Sequence, residues 1–132
     1  MNTGKVSDLM RYLSDEWLQA ADQALEGLQP IAASVVVGFV IEGSIDAEDR
    51  SYQLRLGPDR VGIDTGVADA DVVMVLGREL AGDIAQGETS AQRAFLEGRL
   101  RLSGDVNLLL GHASIMASFD DRLASLRTRT EY

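Results

Sequence analysis

The chain has 132 residues, enough for one domain that buries somewhat under about 70% of its unfolded surface. Apolar residues make up 45% of it and aromatics only 5%, which argues against a base-stacking surface. Twelve basic residues stand against 21 acidic ones, and a net charge of −9 opposes both nucleic acid and anionic membranes.

The arginines Arg78, Arg93, Arg99 and Arg101 do not change that balance, because Glu79, Asp83, Glu88 and Glu97 are interleaved with them. Cysteine is absent, which excludes disulfides, thiol nucleophiles and zinc–thiolate sites. No basic stretch followed by an apolar core marks a signal peptide near residue 1, and no apolar run approaches the roughly 18 residues of a membrane span. The expected location is the cytoplasm.

Val6, Leu9, Met10 and Leu13 recur at helical spacing and predict a short helix over Ser7–Leu13. Ser14 reads as the N-cap of the next helix, with Asp15 and Glu16 at the positive end of the dipole and Leu13 and Leu18 as a hydrophobic staple. That helix runs to about Leu28 on an apolar face of Trp17, Leu18, Ala21, Ala24, Leu25 and Leu28, and Gln29-Pro30 ends it. The stretch 34–42 is β-branched and apolar on both faces, as a central strand should be.

Three more strands follow. Tyr52, Leu54 and Leu56 alternate with polar residues, and Gly57-Pro58-Asp59 turns the chain. Val61 and Ile63 mark the next strand, and Val72, Met74 and Leu76 the one after it. Leu80, Ala81, Ile84 and Ala85 then share a helix face, with Gly87 as the stop. Thr89 with Gln92 forms a capping box for a second short helix that buries Ala91, Ala94 and Phe95 and ends at Gly98. Residues 99–103 alternate as a fifth strand. From Asp105, read as its N-cap, a last helical pattern runs towards Arg127; Gly111 weakens its middle by roughly 1 kcal/mol relative to alanine and invites a break. Residues 128–132 are expected to fray.

The segment from Asp71 to Leu76, two short helices, and then Ala94-Phe95-Leu96-Glu97-Gly98-Arg99-Leu100-Arg101-Leu102-Ser103-Gly104-Asp105 resembles the sterol carrier protein type-two (SCP2-like, non-specific lipid-transfer) domain family. The motif pieces stand in order over 70–105, while element order alone agrees over 14–69. The resemblance implies a single domain over residues 1–132, with its core over about 14–127. It implies an α+β sandwich: a five-stranded, mostly antiparallel sheet of order 3-2-1-4-5, one face covered by helices. Between sheet and helices it implies an apolar tunnel for a fatty acyl, sterol or similar lipid. Each buried methylene is worth about 0.8 kcal/mol, so a tail binds by leaving water, without a cofactor, a metal or catalysis.

Candidate lining residues, taken from inward-facing strand and helix positions, are Phe39, Leu54, Met74, Leu80, Ile84, Phe95, Leu109, Met116 and Phe119; plain core is the competing reading of each. His112, the only histidine, has no recognised catalytic partner and reads as a packing or surface residue. Trp17 reads as a packing residue, with a lipid portal as the alternative. Asp46, Glu48 and Asp49 lack calcium-loop spacing and read as a solvated turn.

If the odd positions of the first strand face the helices, Val36 and Val40 face away, as do Val73 and Val75 of the fourth. An apolar centre rimmed by Gln53, Arg55, Asp64, Arg99 and Arg101 suits a homodimer or partner interface. The alternative is that the N-terminal segment or the final helix folds over the valines. The leading functional reading is a lipid carrier that is not an enzyme. The second is an accessory or scaffold subunit acting through the back of the sheet, with a vestigial cavity. An acid–base enzyme on a steroid-like substrate fits less well, because the strand acids Glu42, Asp64 and Asp71 point away from the helices.

Overall fold

Along Val72–Leu76 the side chains are buried and half-buried by turns, the pattern of a strand with one dry face. The computed structural model describes residues 9–26, 34–45, 48–111 and 113–132. Its strands are β1 (Met10–Arg11), β2 (Val35–Ile45), β3 (Glu48–Leu56), β4 (Val61–Thr65), β5 (Val72–Gly77), β6 (Arg101–Gly104) and β7 (Thr130–Glu131). Its helices are α1 (Asp15–Ala24), α2 (Arg78–Ala85), α3 (Ala91–Leu96), α4 (Val106–Leu110) and α5 (Ala113–Ala124), followed by a 3-10 turn over Arg127–Arg129.

Five strands form one sheet in the order β4-β3-β2-β5-β6. Within this sheet only β2 and β5 run parallel; its other three pairings are antiparallel. This is the expected α+β architecture, and counted from β2 the order is 3-2-1-4-5. Side chains in register form rows across the sheet. Tyr52, Phe39, Met74 and Leu102 make one row on the helix side. Two residues along, Ile63, Leu54, Val37 and Val72 make another, and all four are buried.

Local signals account for most element ends. The Ser14 hydroxyl accepts the Trp17 N–H at 3.1 Å, the N-cap bond that starts α1. Asp105 caps α4 in the same way, accepting from the Leu108 N–H at 3.2 Å. Gly98, at φ +74°, makes the left-handed step that turns α3 towards β6. The last helical pattern breaks at Gly111, between α4 and α5. The cap of α3 is Ser90 rather than Thr89: its hydroxyl accepts from the Arg93 N–H at 3.1 Å, and the helix starts one residue later than expected.

Both ends differ from expectation. Met10–Arg11 is a strand, not part of a helix over 7–13, and Leu13 sits at φ +69°. Residues 128–132 do not fray: Thr130–Glu131 pairs in parallel with Met10–Arg11, and the Tyr12 N–H donates to the Glu131 carbonyl at 3.0 Å. A helix of under two turns is marginal by itself, and tertiary pairing outweighs it. Helix α1 ends at Ala24, short of Leu28, which lies outside the described residues.

The back of the sheet is partly covered by the connection from β4 to β5. A Cβ on Gly38 would stand 2.9 Å from both the Ala70 Cβ and a Val67 methyl, so the glycine lets this connection lie against the strand. Gln53, buried on the same face, accepts the Asp69 N–H at 3.3 Å. Arg55 donates to Asp64 and Asp69, each at 3.0 Å. Val36 is buried here, its N–H donating to the Asp71 carboxylate at 2.8 Å. The valines still half-open on this face are Val40, Val73 and Val75. Among the described residues, the connection through Val67 and Ala70 is what covers Gly38.

Candidate functional site: an apolar cavity between sheet and helices

A cavity of about 440 Å³ lies between the sheet and the helices, within the usual size range of small-molecule sites. Its floor is the row Tyr52, Phe39, Met74 and Leu102, with Ile41, Leu76 and Leu100 beside it. From above, α2 contributes Ala81, Ile84 and Ala85, and α3 contributes Ala91 and Phe95. Helix α5 contributes Phe119, Asp120 and Leu123, and Val106 closes the β6 side. Tyr12 and Trp17 complete the wall near the start of α1.

The scarce aromatic residues are concentrated here. All three phenylalanines, the single tryptophan and two of the three tyrosines line the cavity. The third tyrosine, Tyr132, packs on Tyr12 with ring centroids 5.1 Å apart. The rings form a continuous train. Tyr12 meets Trp17 edge-on at 4.9 Å, Trp17 meets Tyr52 at 6.4 Å, Tyr52 stacks on Phe39 at 4.8 Å, and Phe39 stacks on Phe119 at 6.1 Å. Edge-on and offset pairs at such distances add to the stability of the wall beyond their area. A train of packed rings is stiff, which helps hold a void open against collapse.

The candidate residues divide by position. Phe39, Met74, Ile84, Phe95 and Phe119 share the cavity wall. Leu54 does not, because its row lies one step along the sheet in solid core. Leu80 is likewise buried, but only its neighbours Ala81, Ile84 and Ala85 are on the wall. The side chains of Leu109 and Met116, and all of His112 and Asp46, lie outside the described residues. Trp17 is buried, and among the described residues its indole N–H has no hydrogen-bond partner.

Four wall residues also reach the surface: Ser90, Gln92, Phe95 and Asp120. They mark the rim. Asp120 was not legible as a site residue, and among the described wall residues it is the only charged one. Asp120 is exposed as a residue, but the apolar wall beside its carboxylate partly desolvates it, and neighbouring Asp121 adds repulsion; against a smaller opposing pull from Arg127, its pKa is pushed up to about 6. Deeper in, burial holds the Tyr52 phenol well above its ordinary value, with Tyr12 and Asp120 adding to the rise. Alternation points strand acids away from the cavity, and Asp120 escapes that rule because it sits on a helix. The available signal was spacing: Met116, Asp120 and Leu123 fall on one helical stripe, and a carboxylate interrupts it.

A second depression, between α1 and the edge of β4, is open and polar, walled by residues such as Asp15, Gln19, Asp22 and Asp64. It lacks the apolar walls of a ligand site. No group of metal-ligating side chains occurs among the described residues. No helix among them is long and apolar enough to cross a membrane.

One largely antiparallel sheet roofed by helices, with an apolar cavity between the layers, defines the class as an α+β sandwich with an internal pocket. The chain belongs to the SCP-2 sterol transfer family, whose profile matches residues 12–117. Among solved structures, it is similar to the crystal structure of sterol carrier protein 2, at 16% identity over 86% of this chain and 97% of that one, with a TM-score of 0.70. It is also similar to palmitated SCP2L2 from Aedes aegypti, at 23% identity over 76% of this chain and 87% of that one, with a TM-score of 0.57. A third is Aedes aegypti sterol carrier protein-2 in complex with the C16 fatty acid palmitate, at 18% identity over 74% of this chain and 88% of that one, with a TM-score of 0.52. At these identities the likeness is one of fold. No curated protein matches the chain by sequence.

Proposed function

We propose that the chain is a lipid carrier, holding one acyl or sterol-like molecule in the cavity between sheet and helices. The observation that supports this reading is the cavity itself, whose wall is almost wholly aromatic and aliphatic. A tail that leaves water for such a wall gains about 0.8 kcal/mol per methylene, and ten methylenes suffice for micromolar binding before ordering costs. Family membership supports the same reading, and two proteins of similar fold carry palmitate. Binding of this kind needs shape and dryness rather than a reacting group, so the carrier reading is not an enzymatic one.

The alternative, a scaffold acting through the back of the sheet, has less surface to work with. The connection from β4 to β5 lies across Gly38, and Val36 is buried. What remains for a homodimer or partner is the half-open set Val40, Val73 and Val75, beside the Arg101–Glu42 pair.

The deciding experiment is native mass spectrometry of protein freshly purified from its own host, followed by lipid extraction and identification. A carrier leaves the column with a stoichiometric lipid that organic solvent removes. A protein that emerges empty, and takes up neither a long-chain acid nor a sterol when offered them, is not a carrier.

A further inference from the structure

The only charge on the described cavity wall is the Asp120 carboxylate, at the rim with Ser90, Gln92 and Phe95. We propose that Asp120 selects the headgroup: it accepts a hydrogen bond from a hydroxyl-bearing lipid, a long-chain or polycyclic alcohol, and turns away fatty carboxylates. This rests on the carrier reading and narrows it.

The geometry carries the argument. A ligand carboxylate at this rim sets two anions together at the edge of an apolar wall, where repulsion is screened less than in water. A hydroxyl in the same place offers its proton to Asp120, in a charge-assisted bond stronger than a neutral one. No arginine or lysine on the described wall is available to pair with a ligand anion. Arg127, whose charge pulls the other way on Asp120, is not on the described wall; its Nε donates to the Ala85 carbonyl at 2.7 Å. The other elements around the site bring little charge. Tyr52 faces it from β3, Trp17 from α1, and Ala81, Ile84 and Ala85 from α2, while Asp121 lies on its own helix. The selection weakens in acid, as Asp120 takes up a proton.

Trp17, the chain's only tryptophan, lies on the wall, so its emission reports occupancy directly. The ligands are 1-hexadecanol, palmitate and 1-hexadecanesulfonate, each delivered from cyclodextrin. At about pH 7.5 hexadecanol should bind the wild type at least roughly tenfold more tightly than palmitate. Asp120→Asn should raise palmitate affinity by a similar factor and weaken hexadecanol by about three- to tenfold, as a neutral acceptor replaces a charged one. Hexadecanesulfonate stays ionised at both pH values, so its binding to the wild type should tighten at about pH 5, and Asp120→Asn should abolish that tightening. The sulfonate comparison in the wild type holds even if the variant folds poorly. Equal binding of hexadecanol and palmitate by the wild type at about pH 7.5 overturns the proposal and leaves the carrier reading standing; so does an Asp120→Asn variant with an unchanged ratio. If native mass spectrometry of folded protein shows uptake of none of the three and of no sterol, the carrier reading fails and this one with it.

Discussion

The Arg78 guanidinium lies over the Tyr12 ring, 4.7 Å from its centroid, and also donates to the Tyr132 carbonyl at 3.1 Å. One side chain on α2 thus ties the residue after β1 to the residue after β7. Truncation by Arg78→Ala removes a cation–π contact and a charge-assisted hydrogen bond, and should destabilise the protein by about 1–2 kcal/mol. Urea unfolding should show a lower midpoint at unchanged slope. Arg78→Lys should recover under half of the loss, because an ammonium cannot both lie flat on the ring and reach the carbonyl.

Gly38→Ala tests the contact behind the sheet. The new methyl group would stand 2.9 Å from the Ala70 Cβ and from a Val67 methyl, so the connection must lift. Overpacking of this kind should cost about 1–3 kcal/mol. Lifting should also loosen the Gln53–Asp69 bond, seen as faster amide exchange at Asp69. Wild-type stability in the variant would mean that the connection does not lie where it is placed.

Leu54→Ala and Ile84→Trp should separate stability from ligand capacity. Leu54 is fully buried away from the cavity wall, so its truncation should cost about 2–5 kcal/mol while lipid uptake survives in the folded fraction. Ile84 is half-buried on the wall, and an indole there should fill the void, abolishing uptake in a protein that still melts cooperatively. The same pair of outcomes with the roles reversed would misplace the cavity.

Asp120 also makes stability depend on pH in a known direction. Its pKa is raised from an ordinary 3.8 to about 6, so the folded chain holds that proton more tightly than the unfolded one. The resulting contribution to folding is whole below the unfolded value and is lost as pH rises through about 6. Asp120→Asn should therefore be more stable than the wild type above about pH 6, with the difference fading towards about pH 4. Chemical denaturation of both proteins across that range measures it, and a difference that grows in acid contradicts the assignment.

Legibility in the sequence followed the range of the interactions. Alternation in Val72–Leu76 and in Tyr52–Leu56 revealed which faces are dry, because a strand's period of two needs no knowledge of its partners. The caps at Ser14 and Asp105 and the break at Gly111 are equally local. The pairing of β1 with β7 was invisible, since two-residue strands have no period and their partners stand at opposite ends of the chain. The cavity was legible only in part for a similar reason. Phe39 and Leu54 both face the helices, and only strand register, two residues apart, decides that one meets the void and the other solid core.

A void with greasy walls leaves contacts unmade that a dense interior would make, so the empty protein forgoes cohesion it could have had. Any molecule that settles there raises the melting temperature in proportion to the logarithm of its free concentration over its dissociation constant. Thermal stability then belongs to a preparation rather than to the polypeptide alone. Two batches of identical sequence, one stripped by detergent and one not, should melt at different temperatures.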